Sequence, residues 1–222
     1  MESLITLHKV RQNPEIRNFL EISERQMDIM GYTEHSYRHC GLVAKNAGNI
    51  LTDLGYEERK SELARIAGYL HDIGNSINRM DHAHTGAILA YNILIKMGMG
   101  YVEAGEIMLA IGNHDEKSGT AVSEISSALI LADKSDVHRS RVRNKKIMDF
   151  DIHDRVNFAV VRSRITVDPK IKTAVLALSI DTAICPVMDY FEIFLDRMTM
   201  NKKAADFLDL KFQLIVNESR LL

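Results

Sequence analysis

An apolar helical stretch that ends abruptly in two ionisable residues is the strongest constraint on how this chain folds. Residues 63–75 have the sequence LARIAGYLHDIGN, so His71 and Asp72 directly follow the apolar side chains. A buried carboxylate without a partner is costly, and it must be protonated or meet a cation. Several histidine and aspartate side chains that converge on such a helix end would form a divalent-metal site. The pattern therefore predicts a helical protein with a metal centre.

The size and charge of the chain limit what else it can be. Its 222 residues, 46% of them hydrophobic, suffice for one core, or for one core and a small second domain. The net charge of −2 gives no global basic field, so we expect no nucleic acid polymer as a partner. The only cysteines, Cys40 and Cys185, lack the spacing of metal ligands. Because the sequence has no signal-peptide pattern and no apolar run of ~20 residues, we expect a cytoplasmic protein without a membrane partner.

Helical spacing dominates residues 1–145. The first clear helix start is Asn13-Pro14, where Asn caps the helix and Pro takes its first position. Apolar residues then recur at helical spacing until Gly31. Further helices are expected over about 34–54, 57–72, 82–97, 102–114 and 123–142.

The pattern changes after Lys146. Runs rich in β-branched residues, separated by turn signals such as Asp168-Pro169, indicate strands. Strands are expected over 157–167, 172–181 and 212–217, and a helix over 186–198 or on to 207. The fold is thus predicted to be mainly α, with an all-helical domain over 1–145 and a small β-β-α-β module over 146–222.

Further ionisable residues occupy helical positions around the His71-Asp72 pair. His39 lies in phase with an apolar stripe, and Asp133 interrupts the core-like stretch 127–136. A lone histidine on an apolar face is more often a hydrogen-bonded core residue than a ligand, and we accept that interpretation for His8, His138 and His153. For the whole set it is less attractive, because each buried ionisable group would need its own partner. Imidazole and carboxylate together suit Mn, Fe, Co, Ni or Zn, and suit Mg less.

Five short motifs carry a resemblance to a known family. They are HCGLVA (39–44), LHDIG (70–74), HAHTGA (82–87), IGNHDE (111–116) and LADKSD (131–136). In this order they resemble the motifs of the HD-domain superfamily of metal-dependent phosphohydrolases, across about residues 30–143. The resemblance implies an HD-domain helical bundle and a hydrolase of phosphate esters.

The resemblance also implies a binuclear site with two divalent transition metals. Asp72 would bridge the two ions and would be the central catalytic residue. The first ion would be held by His39, His71, Asp72 and Asp133, and the second by Asp72, His82 and His114.

Three further positions are left open as ligands. His35 stands where some members of the HD-GYP branch have a Glu, so it is an additional candidate. His84 competes with His82, but only His82 lies four residues before Gly86. Asp115 replaces the second His of an HD-GYP pair, which leaves a third metal open.

The mechanism implied by the resemblance is attack on phosphorus by a bridging water whose pKa is lowered by two cations. Lys134 is the main candidate for a contact with the substrate phosphate. Arg139, Arg141 and Arg143 are alternatives, for which a solvated helix end is an equally good explanation. The expected partner is a small phosphorylated substrate, either a nucleotide or another phosphate ester.

Departures from the relatives narrow the substrate. Asn75 stands where the HD-GYP branch usually has Lys, and GTAV (119–122) replaces the Gly-Tyr-Pro element, which argues against cyclic di-GMP. The acidic pair of ppGpp hydrolases is missing, since residues 75–78 read NSIN.

Two alternatives from other classes stay open. The first is a non-catalytic sensor that binds a metal or a nucleotide, and the second is an HD-type oxygenase with a di-iron centre, since this scaffold serves both chemistries. The C-terminal module shows no catalytic set, and its sheet edge could serve homodimerisation or substrate gating.

Overall fold

The computed structural model of the protein describes residues 4–34, 37–143 and 151–221. Its fold is mainly α, with a small sheet near the C-terminus. The N-terminal part contains the helices α1 (Leu7–Gln12), α2 (Pro14–Ile29), α3 (Tyr37–Asp53), α4 (Glu58–Leu70), α5 (His82–Lys96), α6 (Tyr101–Gly112) and α7 (Glu124–Lys134). Within the described residues, no helix is both long and apolar enough to span a bilayer.

Helix α2 begins where the sequence predicts. The side-chain oxygen of Asn13 accepts hydrogen bonds from the backbone N–H groups of Glu15 at 2.8 Å and Ile16 at 3.1 Å. Pro14 takes the first helical position, where its missing N–H has no cost. The short helix α1 precedes this start and was not predicted as a separate element.

The helix predicted over 123–142 ends early, at Lys134. A short 3₁₀ turn, Arg139–Arg141, follows after an irregular segment. Beyond the helix end, the carboxylate of Asp136 accepts a bond from His39, and its carbonyl accepts one from Arg141. The predicted boundary near 145 lies among residues 144–150, outside the described part of the chain, so the domain division stays a prediction.

The C-terminal module keeps the predicted order and adds two elements. It contains α8 (Ile152–Ala159), β1 (Val160–Asp168), β2 (Thr173–Ile180), α9 (Val187–Phe207), β3 (Lys211–Val216) and β4 (Ser219–Arg220). The sheet has the order β1-β2-β3-β4, and β2 and β3 run parallel because α9 connects them. The start of the first predicted strand was wrong, since 157–159 end helix α8, which Asp151 caps. The short strand β4 was also missed.

Close backbone contacts fix the end of α4 within the bundle. A Cβ atom on Gly68 would lie 2.8 Å from the Cα atom of Ala44 on α3. A Cβ atom on Gly74 would overlap the carbonyl oxygen of His82, the first residue of α5. Only glycine permits these approaches, so the LHDIG motif brings the end of α4 against the start of α5.

Candidate metal centre

Six ionisable side chains from the ends and faces of five helices converge in the interior of the bundle. All six residues are less than 10% exposed. Among the described residues, their ligand atoms form three overlapping groups within 4.8 Å of one another. The residues are His39 on α3, His71 and Asp72 after α4, His82 at the start of α5, His114 after α6, and Asp133 on α7.

One part of this cluster, which we call the first subset, contains His39, His71, Asp133 and one oxygen of Asp72. The Nε2 atoms of His39 and His71 are 3.2 Å apart. They lie 3.3 to 3.6 Å from Oδ2 of Asp72 and Oδ1 of Asp133. Ligands bound to one ion at about 2.1 Å are about 3 to 3.5 Å apart, so the spacing suits a shared cation.

The second subset contains His82, His114 and the other oxygen of Asp72. Nε2 of His82 lies 3.4 Å from Oδ1 of Asp72 and 3.2 Å from Nε2 of His114. Asp72 therefore presents one carboxylate oxygen to each subset, as a carboxylate that bridges two cations would do.

The hydrogen bonds of the four histidines fix their tautomers. A carbonyl oxygen only accepts, so the Nδ1 atoms bonded to carbonyls carry hydrogen, and the Nε2 lone pairs face the cluster. Two Nε2 lone pairs cannot face each other at 3.2 Å unless a cation lies between them, either a proton on one ring or a bound metal ion. Acceptors on Nδ1 that leave Nε2 facing inward are the usual arrangement around a bound metal. The Nδ1 acceptors are Gly68 O for His71, Arg79 O for His82, Ile111 O for His114 and Asp136 Oδ2 for His39, at 2.6 to 3.1 Å.

The two subsets differ in their electrostatics. Burial lowers the pKa of His71, but the carboxylates of Asp72 and Asp133 outweigh it and raise the pKa to about 10. Burial lowers the pKa of His82, and burial with the neighbouring His71 and His82 lowers that of His114 well below its usual range. The first subset thus favours an added positive charge, whereas the second is built from neutral imidazoles.

Asp136 supports the first subset from outside, and sequence reasoning gave it no role. Its Oδ2 accepts from His39 Nδ1 at 2.7 Å and from Arg38 Nη2 at 2.9 Å. Burial raises the pKa of Asp136, but the bond from His39 and the charges of Arg141 and Arg38 hold it well below its usual range. The available signal was its spacing, three residues after Asp133 in the motif LADKSD.

Lys134 lies at the edge of the cluster, in a chain of ion pairs. Its buried Nζ is 2.8 Å from Oδ2 of Asp133 and 2.6 Å from Oε2 of Glu116. Oε1 of Glu116 accepts from Nε of Arg197 on α9 at 3.3 Å. The C-terminal module is therefore connected to a cluster residue through three side chains.

The structure does not bring every candidate to the cluster. His35 lies outside the described residues. His84 is largely exposed, and its nearest carboxylate is Asp81 at 3.8 Å. Asp115 approaches His82, but at Nδ1, the nitrogen that faces away from the cluster, at 3.5 Å.

The alternative phosphate contacts are engaged elsewhere. Arg141 is buried and donates to the carbonyls of Glu34 and Asp136. Arg143 pairs with Asp28 at 3.2 Å, and the guanidinium of Arg139 lies over the ring of Phe158. These contacts give the three arginines a structural explanation.

The sequence did not predict that Asn75 and Arg79 contact the second subset. Asn75 Nδ2 donates to Oδ1 of Asp72 at 2.8 Å. Nη1 of Arg79 lies 3.2 Å from Nε2 of His82, 3.3 Å from Oδ1 of Asn75 and 3.6 Å from Oδ1 of Asp72. Arg79 lies in the irregular segment before α5, where no periodicity predicts the direction of a side chain.

Comparisons with known proteins show which family and which relatives this chain resembles. The profile of the HD domain family matches residues 36–155. The uncharacterized protein MJ1020 of Methanocaldococcus jannaschii is 29% identical over 155 residues, which are 60% of this chain and 59% of that protein. Ribonuclease Y 2 of Bdellovibrio bacteriovorus is 31% identical over 126 residues, which are 53% of this chain but only 22% of that protein. The crystal structure of a predicted HD superfamily hydrolase from an uncultured Thermotogales bacterium covers 60% of this chain and 75% of its own, with 26% identity and a TM-score of 0.43.

Proposed function

The chain belongs to the HD domain family, and on this premise we propose that it is a metal-dependent phosphohydrolase acting on a nucleotide or another small phosphate ester. The observation that carries the proposal is the position of Asp72, whose two oxygens face different sets of histidines. A carboxylate so placed can join two cations and offset part of their mutual repulsion.

We assign the first subset to one divalent transition metal and the second subset to another, with Mn, Fe, Co, Ni and Zn as the fitting ions. The donor set supports this, because four imidazole nitrogens together with two carboxylates suit these ions better than Mg. Two metals bound there would supply a nucleophile at neutral pH by lowering the pKa of a shared water. The bonds to Nδ1 keep each imidazole oriented for this task.

Lys134 is proposed to contact the substrate phosphate. Burial lowers its pKa, but the carboxylates of Asp133 and Glu116 outweigh burial and raise the pKa above its usual value. The side chain therefore stays a cation beside the cluster. A fixed positive charge at this place stabilises the negative charge that develops on the phosphoryl oxygens.

The test is a metal analysis combined with a substrate screen. The purified protein is loaded with Mn, Fe, Co, Ni, Zn or Mg and assayed on p-nitrophenyl phosphate, bis-p-nitrophenyl phosphate and nucleotides. A short RNA is included, because the name of one relative, Ribonuclease Y 2, refers to that substrate. We expect turnover of a small ester with a transition metal.

Asp72→Ala provides the decisive variant, and Asp53→Ala, an exposed aspartate at the end of α3, is its matched control. Asp72→Ala should lose both metal and turnover, whereas Asp53→Ala should keep both. Absence of turnover on every substrate would refute the hydrolase. Metal retained without turnover would favour the sensor or the oxygenase.

A further inference from the structure

Arg79 contacts both ring nitrogens of His82. Its backbone carbonyl accepts from Nδ1 at 3.1 Å, and its guanidinium Nη1 lies 3.2 Å from Nε2. The carbonyl can only accept, so Nδ1 carries the hydrogen and Nε2 has its single lone pair. The guanidinium can only donate, so it uses that lone pair.

That lone pair is the one a metal ion in the second subset would need. One imidazole lone pair serves one partner at a time, either the N–H of Arg79 or a metal. The same Nη1 also lies 3.6 Å from Oδ1 of Asp72, which is the carboxylate oxygen of this subset. The guanidinium thus lies beside His82 and Asp72, two of the three residues that would bind the second ion.

We propose that Arg79 competes with the second metal ion, so that its guanidinium occupies the second subset until that ion displaces it. The inference rests on the proposed metal centre and adds a regulation of its occupancy. A guanidinium cannot lose its charge in a protein, so it must move away when a divalent cation arrives.

The surroundings of Arg79 allow that movement. Its side chain is 26% exposed, unlike the cluster residues behind it. It is carried by the irregular segment 77–81, in which Ile77 and Met80 are exposed. Once displaced, the guanidinium would stand beside the cluster as a donor for a substrate phosphate.

The cations beside the first subset make contacts of another kind. Arg38 donates to Oδ2 of Asp136, which lies behind His39. Lys134 pairs with Oδ2 of Asp133, whereas Oδ1 of Asp133 faces the histidines. The competition should therefore affect one metal and leave the other unchanged.

The experiment is a calorimetric titration of the metal-free full chain with Mn²⁺ and, separately, Co²⁺. We expect two binding events, of which the second is weaker. Arg79→Ala and Arg79→Gln should tighten the second event at least tenfold and leave the first unchanged. His82→Ala should abolish the second event, which identifies it.

Arg65→Ala is the matched control, since Arg65 has a similar exposure of 20% and pairs with Glu58 and Glu62, away from the cluster. It should leave both events unchanged. A second event that is unaltered or weakened in both Arg79 variants would overturn the inference while the metal centre stands. A chain that binds no metal at all would refute the proposed function itself, and the inference with it.

Discussion

Both subsets of the cluster are buried, but they differ in their charge and in the groups that hold their side chains. The first subset combines two histidines with Asp133 and Asp72, and Asp136 holds His39 from behind. The second has only the shared Asp72 as carboxylate, its imidazoles are held by backbone carbonyls, and Arg79 lies against it.

This difference shows that burial alone does not set the behaviour of a histidine. His71 and His114 are both about 1% exposed, yet the pKa of His71 is raised to about 10 and that of His114 is lowered well below its usual value. The nearby carboxylates decide the direction. We therefore expect the first subset to bind its metal tightly and the second to bind more weakly.

The largest effect should come from removing one ligand from each subset. Loss of a group that supports a metal ligand lowers the affinity for the metal by roughly 10–100-fold. Asp133→Asn should lower the affinity for the first metal by more than this, because it removes the charge of a ligand itself. His114→Ala should abolish the second metal and leave the first in place. Metal content after dialysis, measured by mass spectrometry, checks both. If His114→Ala released both ions equally, the two subsets would not be separable.

A smaller effect is expected from the support behind the first subset. Asp136→Ala should lower the affinity for the first metal by roughly 10–100-fold, because His39 loses the carboxylate that accepts its Nδ1–H. Asp136→Asn keeps an oxygen acceptor, so its affinity for the first metal should lie closer to that of the wild type. Titration of the metal-free variants measures this. An equal loss of affinity for the second metal would contradict a role of Asp136 that is confined to the first subset.

The six residues that meet in the cluster were predicted from the resemblance of five ordered motifs to a known family, and their positions at helix ends or on apolar helix faces supported that prediction. Helical periodicity fixes the side on which such residues lie, so His39 and Asp133 could be placed with the His71-Asp72 pair. Arg79 could not be placed in this way. The segment before α5 is irregular, and Asp81 there has a positive φ of 59°.

The order of elements in the C-terminal module was likewise predictable, but one boundary was not. Strand β1 was correctly expected from Val160 onward, and the burial of its residues 163–168 alternates as in a strand with one buried face. The preceding Asn157, Phe158 and Ala159 were included in that strand, but they end helix α8. Of these three only Phe favours a strand, and the cap at Asp151 with the burial of Val156 and Ala159 accounts for the helix.

A still smaller effect should appear as a dependence on pH. Because the folded pKa of Asp136 is depressed, its contribution to stability is present above the unfolded pKa of about 3.9 and is lost as the pH falls. The stability difference between wild type and Asp136→Asn should therefore narrow by about 1 kcal/mol between pH 5 and pH 3. Urea unfolding of the metal-free proteins at both pH values measures it. A difference that stays constant would mean that folding does not lower the pKa of Asp136.

The smallest effect tests whether the asymmetry extends into the C-terminal module. Among the described residues, ion pairs connect Arg197 to the first subset through Glu116 and Lys134. Since the pair with Glu116 is partly exposed, Arg197→Ala should cost less than about 1 kcal/mol of stability. Because Lys134 is then less firmly held, Arg197→Ala should also raise the KM for the substrate a few-fold. Both metal affinities should stay unchanged. Arg197→Lys should bring the KM part of the way back to the wild-type value. Arg155→Ala, which removes an ion pair with Asp189 in the same module, is the control. If both variants raised KM alike, the ion-pair chain from α9 would have no specific part in positioning Lys134.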